Sequence, residues 1–269
     1  MSRMPAVFFG HGSPMIALET NQTSRAWEAM AAAMPRPRAI LAISAHWETT
    51  GTAVTAMQRP KTIHDFGASF PKALFDLQYP APGEPALAAR VADLLAPTPV
   101  QQDLDQWGLD HGAWSVLVKA YPDAAIPVVQ LSLDVTLTPA ERIGIGRKLA
   151  PLRDEGVLIM GTGNIVHNLS AMNWGERDCA PFDWSARFLG EIREAILKDE
   201  PERAANFAAL GEDARRAAPT PEHFWPLLYV LGARLPGDSA QLVNDRIEHG
   251  SLGMTSVVFE DATRARQAA

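Results

Sequence analysis

The sequence predicts an α/β protein, a three-layer α/β/α single domain with a central, largely parallel (mixed) sheet, occupying residues 1–269. Two observations lead there. Short β-branched apolar runs alternate with longer helical patterns, as in chains that wind helices over both faces of a sheet. Most of those runs are apolar throughout, which marks strands buried on both faces. In chain order the expected strands are Ala6–Phe9, Ala39–Ser44, Thr52–Met57, Ile126–Leu131, Val157–Met160 and Ser256–Phe259. Helical patterns fall near Thr23–Met34, Pro85–Leu95, Ala113–Ala120, Thr138–Asp154, Trp184–Lys198 and Glu222–Gly232. The last has a clear start, with Thr220 as cap and Pro221 at the first helical position. Pro and Gly gather between Arg59 and Gly83, which reads as a long irregular loop of the kind that carries function.

Composition excludes several functions. The 24 Lys and Arg stand against 31 Asp and Glu, a net charge of −7 with no basic block, which argues against a nucleic-acid partner. A single cysteine, Cys179, cannot close an intramolecular disulfide and suits a reducing, cytoplasmic setting. The apolar run after Met4 is too short for a secretory core, and no stretch reaches membrane-spanning length, so no membrane partner is expected. Nothing in the pattern indicates an oligomeric state.

The histidines are the most informative residues. His11 follows the first expected strand, His46 the second, and His167 lies just beyond Val157–Met160. Parallel sheets bind ligands outside the carboxyl ends of their strands, so these three can converge on one site. His64 and His111 sit in Gly-bearing loops, His223 opens the last capped helix, and His249 lies near the final strand. Any one of them alone is more simply a surface or hydrogen-bonded core residue. Their joint placement points to a mononuclear metal site assembled from distant segments, since imidazole is the commonest metal ligand and no compact metal motif is present. Gly161-Thr-Gly-Asn164 lacks the third glycine of a dinucleotide loop and the lysine of a phosphate loop. Cys179 beside Asp178 has no environment that would activate a thiol. The tryptophans Trp47, Trp107, Trp114, Trp174 and Trp225 mostly neighbour the histidine segments, where core packing is the expected role of each and one or two could wall an aromatic pocket. Arg59, Lys61 and Lys72 are the basic residues expected to line the site if the substrate carries a carboxylate.

Six motifs, His11-Gly-Ser-Pro-Met, Ser44-Ala-His-Trp, Thr62-Ile-His-Asp-Phe-Gly, Gly108-Leu-Asp-His-Gly, Gly163-Asn-Ile-Val-His-Asn and Thr220-Pro-Glu-His, resemble the class III extradiol ring-cleaving dioxygenases. The likeness runs in order from Pro5 to Phe259 and is strongest to the branch named for 4,5-DOPA extradiol dioxygenase. It implies a non-haem Fe(II) enzyme that opens a catechol ring beside its two hydroxyls with both atoms of O₂, giving a muconic semialdehyde-type product. It also implies that His11, His46 and His223 hold the metal, and that His167 is a general base or a fourth ligand. His111 is then an acid over substrate and O₂, with His64, Ser13 and Trp47 at the substrate. Better-known ring-cleavers use two His and one carboxylate. Here Glu222 and His223 stand in tandem, and neighbours on a helix face different ways, so one should ligate, with His223 favoured and Glu222 the rival. Such a site would also hold Zn(II). The alternatives are a zinc-dependent hydrolase, a non-catalytic metal-binding protein on the same fold, and a structural protein with satisfied histidines.

Overall fold

A computed structural model describes residues 3–263, so the outermost residues of the expected 1–269 unit lie outside the described residues. The strands are β1 (Ala6–Gly10), β2 (Ala39–Thr49), β3 (Thr52–Thr55), β4 (Val100–Asp103), β5 (Val128–Asp134), β6 (Val157–Gly163), β7 (Asp238–Val243), β8 (Ile247–Glu248), β9 (Leu252–Gly253) and β10 (Ser256–Asp261). Eight form one sheet in the order β4-β3-β5-β2-β6-β1-β10-β7, and β8 pairs with β9 in a small ribbon. The centre, β5-β2-β6-β1, is parallel. Antiparallel contacts of β3 with β5, and of β10 with β1 and β7, make the sheet mixed.

The continuous apolar runs are explained by two cores. Phe8, Leu41, Ile43 and Ile159 point to one face, under the helices Pro85–Leu95, Pro139–Leu149, Asp183–Leu197 and Trp225–Gly232. Val7, Phe9, Ile40 and Met160 point to the other, under the helices Gln22–Ala33 and His111–Ala120. There Trp27 packs edge-on to Phe9 with ring centroids 5.9 Å apart. Among the described residues, no helix is long and apolar enough to cross a membrane.

Several expectations need correction. β2 does not stop at Ser44 but runs to Thr49, so His46 lies within the strand. Its register against β5 jumps from Ile43 opposite Leu131 to Glu48 opposite Leu133, and the irregularity carries His46 out of the ladder. β3 ends at Thr55, two residues short of Met57. β5 begins at Val128 and runs on to Asp134, past Leu131. The Thr138–Asp154 pattern is a helix to Leu149 and then a 3₁₀ turn, Ala150–Arg153, with Thr138 and Glu141 forming the capping box. His111 is not in a loop: it is the first residue of the helix His111–Ala120, capped by Asp110. The helix expected from Glu222 begins at Trp225, so Thr220 and Pro221 are not its cap and first turn. Instead the Pro221 carbonyl accepts the Phe224 and Trp225 N–H groups, closing a turn that holds Glu222 and His223 ahead of the helix. The 59–83 segment contains a short helix, Lys72–Asp76.

Candidate metal centre

Parallel pairing puts the carboxyl ends of β1, β2 and β6 on one edge, with Gly10 opposite Gly163 and Ser44 opposite Thr162. His11 leaves that edge immediately after β1, and its N–H donates to the Gly163 carbonyl at 3.0 Å. The Asn164 N–H donates to the His223 carbonyl at 2.9 Å, which docks the His223 turn onto the end of β6. His11, His46 and His223 thereby offer ring nitrogens that all lie within 4.8 Å of one another.

Hydrogen bonds behind each ring assign the tautomers. The Thr162 hydroxyl donates to the Gly112 carbonyl at 2.7 Å, so its oxygen accepts from His11 Nδ1–H at 2.9 Å. The Glu222 carboxylate accepts from His223 Nδ1–H at 2.9 Å. His46 Nδ1 lies 3.5 Å from an Asp65 carboxylate oxygen. Each ring thus keeps its Nε2 lone pair free, and the Nε2 atoms of His46 and His11 stand 3.3 Å apart. Two lone pairs at that distance repel unless a cation lies between or beside them, and three neutral imidazoles are a donor set that suits Fe(II) or Zn(II). The residues present fit a metal. Glu222, the rival ligand, is hydrogen-bonded to His223 Nδ1, and one of its carboxylate oxygens also lies within 4.8 Å of ligand nitrogens of His167 and His223.

Burial keeps these rings neutral. His11 and His223 are held well below the ordinary imidazole pKa by burial first, then by neighbouring histidines. Burial and His111 push His46 down to about 3, against the opposing pull of Asp65. His167 is lowered to about 4 by burial and lies flat on His223, with ring centroids 3.5 Å apart. His111 stands on the other side, its centroid 3.9 Å from that of His46. Asp65 accepts from the His111 backbone N–H at 2.8 Å, and its second oxygen is 3.0 Å from His111 Nδ1. Burial alone would raise the Asp65 pKa, but His111 and His46 hold it below the usual carboxylate range.

These five histidines line one end of a cavity of about 530 Å³ whose other walls are largely apolar, among them Ile16, Phe66, Phe70 and Met254. Ser13 also lines it, its side chain accepting from the Met15 N–H. Two expected substrate residues are placed elsewhere. His64 donates from Nε2 to the Leu77 carbonyl at 2.9 Å and packs on Trp114, while Trp47 is buried in a stack on Trp107. Neither is part of the cavity wall. Arg59, Lys61 and Lys72 are exposed and also outside it. The structure also brings to the histidines or the cavity five residues that the sequence does not single out: Asp65, Thr162, Arg177, Glu19 and Glu248. Asp65 adjoins His64 in the same motif.

An edge of parallel strands presenting neutral histidines to a largely apolar cavity has the make-up of a metalloenzyme site. Residues 5–260 match the family described as the catalytic LigB subunit of aromatic ring-opening dioxygenase, and the chain belongs to that family. It is 49% identical over 259 residues to the "4,5-DOPA dioxygenase extradiol" of Escherichia coli (strain K12), covering 95% of this chain and 94% of that one. Identity to the protein of the same description from Beta vulgaris is 37%, over 94% of this chain and 95% of the relative. A crystal structure of an uncharacterized protein from Escherichia coli K12 superposes with a TM-score of 0.82 at 45% identity, covering 96% of this chain and 100% of the other. The chain is accordingly a metal-dependent, oxygen-incorporating oxidoreductase that opens catechol-type rings in the extradiol manner. This displaces the hydrolase and structural-protein alternatives.

Proposed function

We propose that this chain, as one catalytic domain, is an Fe(II)-dependent dioxygenase of DOPA-like catechols in the cytoplasm, with His11, His46 and His223 as metal ligands. The observation that carries it is the convergence of His11, His46 and His223, whose ring nitrogens lie within 4.8 Å of one another, on a largely apolar cavity. The presence of a single cysteine, Cys179, in the sequence fits the reducing setting. Bound Fe(II), held by His11, His46 and His223, would supply positive charge for the ionised diol and an electron source for O₂. Zn(II) would occupy the same ligands without the redox step.

The remaining roles fall to two histidines. His167, neutral at pH 7 and stacked on His223, is in position to accept a hydroxyl proton from the catechol. As a fourth ligand it would lose that capacity. His111 faces the cavity with Asp65 3.0 Å from its Nδ1, and in this reading it is the acid that hands a proton to the oxygen chemistry. Phe66 meets the His111 ring edge-on at 5.5 Å and helps keep water from it. Both atoms of O₂ enter the product as the ring carbon–carbon bond beside the diol breaks.

The test is anaerobic reconstitution of metal-free protein with Fe(II) or Zn(II), followed by oxygenated buffer and a catechol panel. The expected result is stoichiometric O₂ uptake with a coloured semialdehyde-type product in the Fe(II) sample alone. Turnover supported by Zn(II) without O₂ uptake would overturn the assignment of the working metal and of the reaction together.

A further inference from the structure

The cavity has a charged end as well as a histidine end. Among its described lining residues, Arg177 is the one cation other than histidine, and Glu19 and Glu248 stand beside it. Glu248 is buried and already committed, accepting from Arg177 Nε at 2.8 Å and from Arg246 Nη2 at 2.6 Å. The outer partner of Arg177 is Glu19, at 3.2 Å, and both side chains remain over one-third exposed. An exposed pair of this kind contributes little to stability, so exchange of its partners is easy. A carboxylate arriving on a ligand would offer the guanidinium a planar, water-excluded partner in place of Glu19. Glu19, which also accepts from Asn21 Nδ2 at 2.9 Å, would then have its remaining acceptor capacity to offer an ammonium group.

We infer that Arg177 and Glu19 are the specificity-determining residues of this cavity, reading the carboxylate and the ammonium of an amino-acid substituent on the catechol. This rests on the catechol reading above and adds the residues that select the side chain. The charge balance supports it: two carboxylates face two guanidinium groups across the Glu19, Arg177, Glu248 and Arg246 cluster. A zwitterion enters that neutral cluster with no net charge to bury, whereas a lone carboxylate or ammonium leaves one group unmatched. The lysines and arginine of the 59–83 segment lie outside the cavity and offer no competing cation.

Four substrates separate this role from mere bracing of the loop, since the Arg177 carbonyl also accepts from the His249 N–H at 2.7 Å. They are L-DOPA, dopamine, 3-(3,4-dihydroxyphenyl)propionate and 4-methylcatechol, turned over by the Fe(II)-loaded enzyme. In Arg177→Gln, kcat/KM for the two carboxylates should fall relative to the two other substrates by roughly tenfold or more, the usual worth of a charge-assisted hydrogen bond. Glu19→Gln should lower the two amines relative to the others by a smaller factor, and Arg177→Lys should recover part of the carboxylate preference. Dissociation constants measured anaerobically by calorimetry should follow the same pattern. An equal loss on all four substrates in Arg177→Gln, or unchanged ratios, overturns the assignment. Wild-type enzyme that turns over 4-methylcatechol as well as L-DOPA also overturns it, leaving ring cleavage intact. Absence of turnover of any catechol would instead overturn the parent reading, and this one with it.

Discussion

The Thr162 hydroxyl has one proton, and it points at the Gly112 carbonyl, so the contact with His11 must use the Nδ1 proton of the ring. That single direction decides which nitrogen of His11 is free for a metal. Thr162→Val keeps the shape and removes the acceptor, so His11 loses its tautomer preference. We expect metal affinity to fall by about 10- to 100-fold, as for other residues that orient a metal ligand, with circular dichroism unchanged. Competition with a chromophoric chelator would measure it. Burial of the same histidines also sets a pH dependence for the metal-free protein. His46 and His167 are neutral in the folded state with pKa values of about 3 and about 4, against 6.5 when exposed. Between those limits the unfolded chain binds more protons, so this contribution is intact above 6.5 and is lost progressively as the pH falls towards 4 and 3. The melting temperature should therefore decline steadily below pH 6.5, and a curve flat from pH 7 to 4.5 would contradict the buried, neutral assignment.

Strand ends translate chain order into a site. β1 and β6 are located from sequence, though they run on past Phe9 to Gly10 and past Met160 to Gly163, because both faces are covered and continuous apolar runs such as Val157–Met160 have no other simple explanation. β4 and β7 carry the sequences VQQD and DSAQLV at the two edges of the sheet, where exposure permits polar residues and erases the signal. The start of the helix Trp225–Gly232 is misread for a related reason. Its residues are buried almost all round, so no amphipathic stripe marks the first turn, and Pro221 and Pro226 are equally good starts. The consequence is functional, because His223 sits in a turn whose carbonyl is held by Asn164. A Cβ on Gly163 would collide with that His223 carbonyl, a backbone atom that cannot yield. Gly163→Ala should thus lower stability by about 1–3 kcal/mol and reduce bound metal together. Calorimetry and metal analysis on one sample would test the pair, and loss of stability with full metal occupancy would count against this role for the turn.

At the opposite end of the sheet from the histidines, one fully buried side chain joins four segments. The Arg153 guanidinium donates to the carbonyls of Met4, Ala233 and Phe259 and to the Asp238 carboxylate at 2.5 Å. Removing one partner of a buried ion pair strands the other, so Arg153→Met should cost about 3–5 kcal/mol of stability. Because the site lies beyond the far ends of β1 and β6, kcat/KM per folded molecule should stay near wild type at low temperature. Urea denaturation and steady-state kinetics on the same preparation would show the separation. Apolar periodicity, glycine placement and the order of histidine motifs were enough to establish the α/β layering, the family likeness and five of the histidines around the cavity, because those are properties of neighbours along the chain. Proximity across the fold decided the rest: that Asp65, not His64, backs His111, that Glu222 orients His223, and that Arg177 rather than Lys61 or Lys72 enters the cavity. Each of those contacts joins residues whose separation along the chain says nothing about their separation in space, and a side chain's direction there depends on which backbone turns beneath it.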